Sequence, residues 1–90
     1  MLPLNQRVRI SESRFAFGGV TGVVTDPPAF VAELDPDPWD GHHQLKPRKD
    51  EMVLLYWVEF DVPTDDGSGD GPYSAAAIED QYLEPVVGQA

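Results

Sequence analysis

Ninety residues with 41% hydrophobic content suffice for one domain with a single modest core, and they fit a folded chain rather than a disordered tail. Six basic residues face sixteen acidic ones, a formal net charge of −10, which argues against nucleic acid and anionic membranes as partners because both are gripped by Lys and Arg. The chain has no cysteine, hence no disulfide framework, thiolate metal site or cysteine nucleophile. No apolar run approaches the roughly 20 residues that span a bilayer, and Met1 to Gln6 lacks the charged start and apolar segment of a secretion signal. The expected compartment is the cytoplasm.

In chain order, Gln6 to Ile10 alternates polar and apolar, which predicts a half-buried strand with Val8 and Ile10 inward. Ser11 to Gly18 is a loop carrying Phe15 and Phe17. Gly19 to Thr25 is a second strand in which Gly22 marks a bulge or a close backbone approach. Asp26-Pro27-Pro28 ends it, since proline cannot donate to a ladder. Residues 26–50 form a long loop insertion between strands 2 and 3. Within it, Ala29 to Leu34 suits one helical turn or a short extended piece, and Asp35 to Gly41 is turn chemistry throughout. A loop this long is either packed, here by Phe30 and Trp39, or functional.

Glu51 to Asp61 is the longest predicted strand. Leu54, Tyr56, Val58 and Phe60 share one face, and Val53, Leu55, Trp57 and Glu59 the other. Both faces are apolar over most of its length. Either the long loop covers the second face, or Leu55 and Trp57 form an exposed partner surface. Asp65 to Gly71 is a flexible turn, Tyr73 to Ala77 a fourth strand, Ile78-Glu79-Asp80 a single 3₁₀ turn, and Tyr82 to Val87 the closing strand. From Asp61 onward there are seven acids and no base, an asymmetry that suits either a solvated surface or steering toward a basic partner.

These runs predict an all-β fold, a small five-stranded SH3-like barrel in one domain spanning residues 1–90. The order Arg7-Val8-Arg9-Ile10, Gly22-Val23-Val24, Ala29-Phe30-Val31, Leu55-Tyr56-Trp57-Val58-Glu59-Phe60 and Tyr82-Leu83-Glu84-Pro85 resembles the C-terminal SH3-like domain of the nitrile hydratase β subunit. A looser likeness extends to the variable chain of ferredoxin–thioredoxin reductase and the E subunit of photosystem I. The resemblance implies a non-catalytic barrel that docks on a larger partner. Two departures from that family are expected: the long helical N-terminal part of the family is not seen ahead of these runs, and glycine stands, within Arg14-Phe15-Ala16-Phe17-Gly18-Gly19, where the family has an arginine. The family's metal is held by a cysteine cluster on the other subunit.

Candidate chemistry is sparse. His42 and His43 lie among Asp37, Asp40 and Asp50, a plausible oxygen and nitrogen donor set for a divalent cation, but adjacent histidines point different ways, and they read as exposed loop residues. Asp66-Gly67-Ser68-Gly69-Asp70-Gly71 matches the first half of a calcium loop, yet position twelve falls on Ala77 instead of a glutamate, so a hairpin turn is expected. Ser11, Ser13, Ser68 and Ser74 lack the context of an activated nucleophile. No catalytic residue, metal site or cofactor is expected. The residues expected to touch a partner are Phe15, Phe17, Trp39, Leu55, Trp57 and Tyr73, because aromatic side chains are enriched in binding hot spots. They also fit a barrel core. The expected function is a non-catalytic module that binds a protein partner or itself, neither nucleic acid nor membrane. The alternatives are a β-like or assembly subunit of a nitrile-hydratase-like metalloenzyme, an acidic mimic of nucleic acid and, last, a stand-alone enzyme.

Overall fold

The computed structural model describes residues 1–87. Six strands and one short helix follow in order: β1 (Arg7–Ile10), β2 (Thr21–Val24), α1 (Ala29–Leu34), β3 (His43–Arg48), β4 (Glu51–Thr64), β5 (Tyr73–Glu79), a 3₁₀ turn (Asp80–Tyr82) and β6 (Leu83–Pro85). All pairings are antiparallel. The sheet runs β3-β4-β2-β1-β6, with β5 on the other edge of β4, and curls into a half-barrel compatible with an SH3-like barrel.

Period-two patterning explains the core. Val8 and Ile10 of β1, Val24 of β2, Tyr56, Val58 and Phe60 of β4, Ile78 of β5 and Leu83 of β6 pack into one buried cluster, with Leu2, Phe17, Val20 and Leu54 against it. Gly22 lies opposite Val8 on one side and Phe60 on the other. A Cβ there would collide with the Glu59 carbonyl oxygen and stand 2.9 Å from Val58 Cγ1, so the expected close backbone approach is real.

The five expected strands are all present, and the insertion supplies a sixth. Residues 26–50, read as one long loop, contain α1 and β3. Pro28 precedes α1 with φ −58°, and none of the helix's residues is buried. β3 escapes notice because Gln44, Lys46, Pro47 and Arg48 mask its alternation. It forms because the long β4 offers a template, and it tolerates Pro47 because it is an edge strand. The 3₁₀ turn also falls two residues later than expected, at Asp80–Tyr82, since Ile78 is held in the core as part of β5.

Candidate functional site

The outer face of β4 is covered around Leu55. Leu55, expected on a contact surface, is only 3% exposed. The segment after α1 folds over this face and is pinned by a polar knot. The Gln44 amide donates to Asp35 Oδ2 (3.0 Å) and to the Asp37 carbonyl (2.9 Å), and the Trp39 indole N–H donates to the same Asp35 oxygen (3.2 Å). Lys46 Nζ stands 3.7 Å from both Asp35 and Asp37 carboxylates. The Gln44 amide, then the Asp37 backbone N–H, hold the Asp35 carboxyl below its usual range against the opposing pull of burial. Trp39 is thereby held edge-on to Trp57, with ring centroids 6.1 Å apart. Of the two readings of the Leu55–Trp57 face, the covering segment is the one realised. Gln44 and Asp35, which hold it there, carry no distinguishing sequence signal.

Phe17 and Tyr73 also come together. Phe17 lies 4.9 Å from Phe60 and edge-on to Tyr73 at 5.9 Å, and the Phe17 and Tyr73 rings pack against the core while staying partly exposed. Phe17 adopts φ 65°, a left-handed conformation uncommon outside glycine, and this turns the loop sharply at that residue. On the other side of the loop tip, Arg14 Nε donates to Glu79 Oε1 (3.0 Å) and its Nη1 to the Ala16 carbonyl (2.6 Å). Arg48 reaches the other Glu79 oxygen at 3.3 Å. Burial pushes the Glu79 carboxyl up, but its own backbone N–H and the two guanidinium groups outweigh that and leave it below the ordinary glutamate value. Between these anchors Phe15 is fully exposed, at 102%.

His42 and His43 are not exposed loop residues. Both are half-buried against Tyr56, His42 stacked on it at 6.0 Å, because β3 begins at His43 and draws them over the barrel. His42 Nε2 is 2.9 Å from the Leu2 carbonyl, and the Tyr56 hydroxyl accepts the Leu2 N–H at 2.8 Å. His43 Nε2 is 3.5 Å from Asp40, and its Nδ1 is buried without a hydrogen-bond partner. Among the described residues no three His, Cys, Asp or Glu side chains converge as a metal site. In the Asp65–Gly71 turn the carboxylates cap local backbone: Asp65 accepts from the Gly67 N–H and Asp66 from the Ser68 N–H, both at 2.8 Å. No described helix is long and apolar enough to cross a membrane.

The surface left open is thus a different set from the one expected. Phe15 remains, while Phe17, Trp39, Trp57 and Tyr73 pack within the molecule and Leu55 is buried. Leu45 and Met52 on the β3–β4 hairpin are more than half exposed, as are Leu34 and Val62, and so is Phe30, which was expected to pack the long loop. Alternation along β4 puts Met52 on the core side, but which part of that side lies beyond the barrel depends on β3. No protein-family model matches the chain, and no curated protein or solved structure matches it either.

Proposed function

We propose that this chain is a non-catalytic protein-interaction module that engages a partner protein through the β1–β2 loop. The observation that carries the reading is Phe15. A large aromatic ring stands wholly in solvent between Arg14, tied to Glu79, and Phe17, seated on Phe60. Exposing such a ring forgoes about 1.5–3 kcal/mol of burial. Fixing its flanks lowers the ordering cost of binding. Sixteen acids against six bases, with Arg7, Arg9, Arg14, Lys46 and Arg48 already within 4 Å of carboxylates, suit a partner with a basic surface. The test places a photo-crosslinking phenylalanine analogue at position 15 in the native host, with Phe30 substituted in parallel. The reading expects one discrete adduct at position 15 and a Phe15→Ala variant that loses the partner at least ten-fold while melting normally. Equal labelling from both positions, or unchanged binding by Phe15→Ala, would sink it.

A narrower reading makes the chain a β-like or assembly subunit for a nitrile-hydratase-like metalloenzyme. What favours it is Leu83-Glu84-Pro85 closing the sheet against β1, within the run that carries the resemblance. It requires a separate cysteine-bearing metal subunit that co-purifies with this chain.

A further inference from the structure

The core-side face of β4 does not stop where the barrel does. β3 and the first half of β4 continue as a two-stranded arm, and directly opposed residues of an antiparallel pair share a face. Leu45 lies opposite Leu54 and Pro47 opposite Met52, so these four side chains prolong the apolar face beyond Tyr56. Leu54 is partly covered by the core, but Leu45 is 54% exposed and Met52 58%. The bases of the arm take the opposite face, where Lys46 meets Asp35 and Asp37, and Arg48 meets Glu79.

We infer that this apolar face is a self-association surface, on which a second copy of the chain packs its own arm about a two-fold axis. This goes beyond the loop-borne function proposed above and uses a different surface. The charge distribution selects the occupant. From Phe15 to Gly41 the chain has five acids and no base, and from Leu55 to Val87 eight acids and no base. Between them the arm, His42 to Leu54, holds Lys46, Arg48 and Lys49 against Asp50 and Glu51. Two molecules of charge −10 repel over most of their surfaces, yet can meet here, where the face of Leu45, Pro47, Met52 and Leu54 carries no acid and the bases behind it offset the nearest carboxylates. The tip is self-complementary. Lys49, the one base with no carboxylate within 4 Å among the described residues, adjoins Asp50 and Glu51, and a two-fold contact offers each copy's lysine the other's carboxylates.

Strand addition does not compete along β3, because the edge of β3 is closed. The Trp57 N–H donates to the His42 carbonyl at 3.1 Å, so even-numbered residues of this stretch bond to β4 and residues 43, 45 and 47 turn outward. His43 uses its outward groups on Asp40, at 2.8 and 3.3 Å, and Pro47 has no N–H. Leu45 alone keeps an outward donor, too little for an intermolecular ladder.

Sedimentation equilibrium on the intact chain, over about 5–500 µM and at both about 50 mM and 500 mM NaCl, tests this. The mass should rise with concentration toward twice 9.9 kDa. Association should tighten at high salt, because screening the repulsion between two molecules of net charge −10 outweighs the weakening of the exposed Lys49 pairs and leaves apolar burial intact. Leu45→Glu and Met52→Glu should each raise the dissociation constant at least ten-fold, while Phe15→Ala and Phe30→Glu leave it unchanged. Dilution NMR on the unaltered chain gives a readout independent of variant folding: resonances of Leu45, Met52 and Leu54 should move with concentration, and those of Phe15 and Phe30 should not. A monomer at every concentration and salt overturns the inference. So does a dimer that salt weakens, one that survives both glutamate substitutions, or one whose shifts lie elsewhere. None of these outcomes bears on partner binding by Phe15.

Discussion

Replacing Gly22 by alanine should cost about 2–3 kcal/mol, at the upper end of overpacking penalties. The added methyl would overlap the Glu59 carbonyl oxygen and crowd Val58 Cγ1 at 2.9 Å. Neither neighbour gives way easily, since both belong to β4, which is also bonded to β5 across Glu59–Ala75 and Val58–Ala76. Nor can β2 retreat, because Gly22 is paired with Val8 of β1 on its other side. Alanine also restricts the unfolded chain, a gain of roughly 0.4–1 kcal/mol that only partly offsets the clash. For a domain of this size the melting temperature should fall by about 10–20 °C, and the urea midpoint by about 2 M at a slope near 1 kcal/mol/M. Fluorescence of Trp39 and Trp57 reports the transition. Gly67→Ala is the control: Gly67 has φ +90° with nothing within 4 Å of the added atom, so only local strain of about 1 kcal/mol is expected. If Gly22→Ala melts within about 3 °C of the parent, or costs less than Gly67→Ala, the steric account of β2 is refuted.

Gln44→Ala removes both clamps on the covering segment, on Asp35 and on the Asp37 carbonyl, and should cost about 2 kcal/mol because one acceptor is ionised. Its signature is a red-shifted tryptophan emission in the folded state; an unchanged spectrum with unchanged stability would show that Trp39 holds the segment without the amide. Acid should destabilise the fold. The carboxyls of Asp35, Asp61 and Glu79 sit below their ordinary values of 3.8, 3.8 and 4.5. Asp61 is lowered first by the Arg7 guanidinium and then by the Thr21 hydroxyl. The stability these groups contribute is therefore complete above the ordinary values and lost as pH falls through the depressed ones. Melting temperatures recorded from pH 7 to 2 should stay level to about pH 5 and then decline, and Arg14→Ala should shrink the decline. A melting temperature that rises on acidification would show that these carboxylates do not stabilise the fold in their ionised form.

The strands were legible where alternation is strong. Val8, Ile10, Tyr56, Val58 and Phe60 declare their face locally, and Gly22 within an apolar run declares a close approach. β3 was not legible, because a strand of polar residues and one proline is defined by the partner it lies against rather than by its own pattern. The exposure of the aromatic residues is less legible than the fold. Trp39, Leu55 and Trp57 are hydrophobic whether they face solvent or a covering segment, and the choice was made by the Asp35–Gln44 bond across nine positions. The Arg14–Glu79 pair, which fixes the loop under Phe15, joins residues 65 positions apart and leaves no trace in either neighbourhood.

β4 passes from barrel to arm without interruption. The same strand bonds to β3 through residues 51–56, to β2 through residues 58–60 and to β5 from residue 55 onward. No loop, glycine or proline stands at the junction between Tyr56 and Val58, so the arm has no hinge about which to swing. Whatever settles on Leu45 and Met52 meets them at a fixed angle to Phe15. Two binding events on this chain would therefore be geometrically coupled. The spacing and relative orientation of two partners would be set by β4 together with the Arg14–Glu79 and Phe17–Phe60 contacts that hold the loop, and the molecule would act as a rigid bracket rather than a flexible tether.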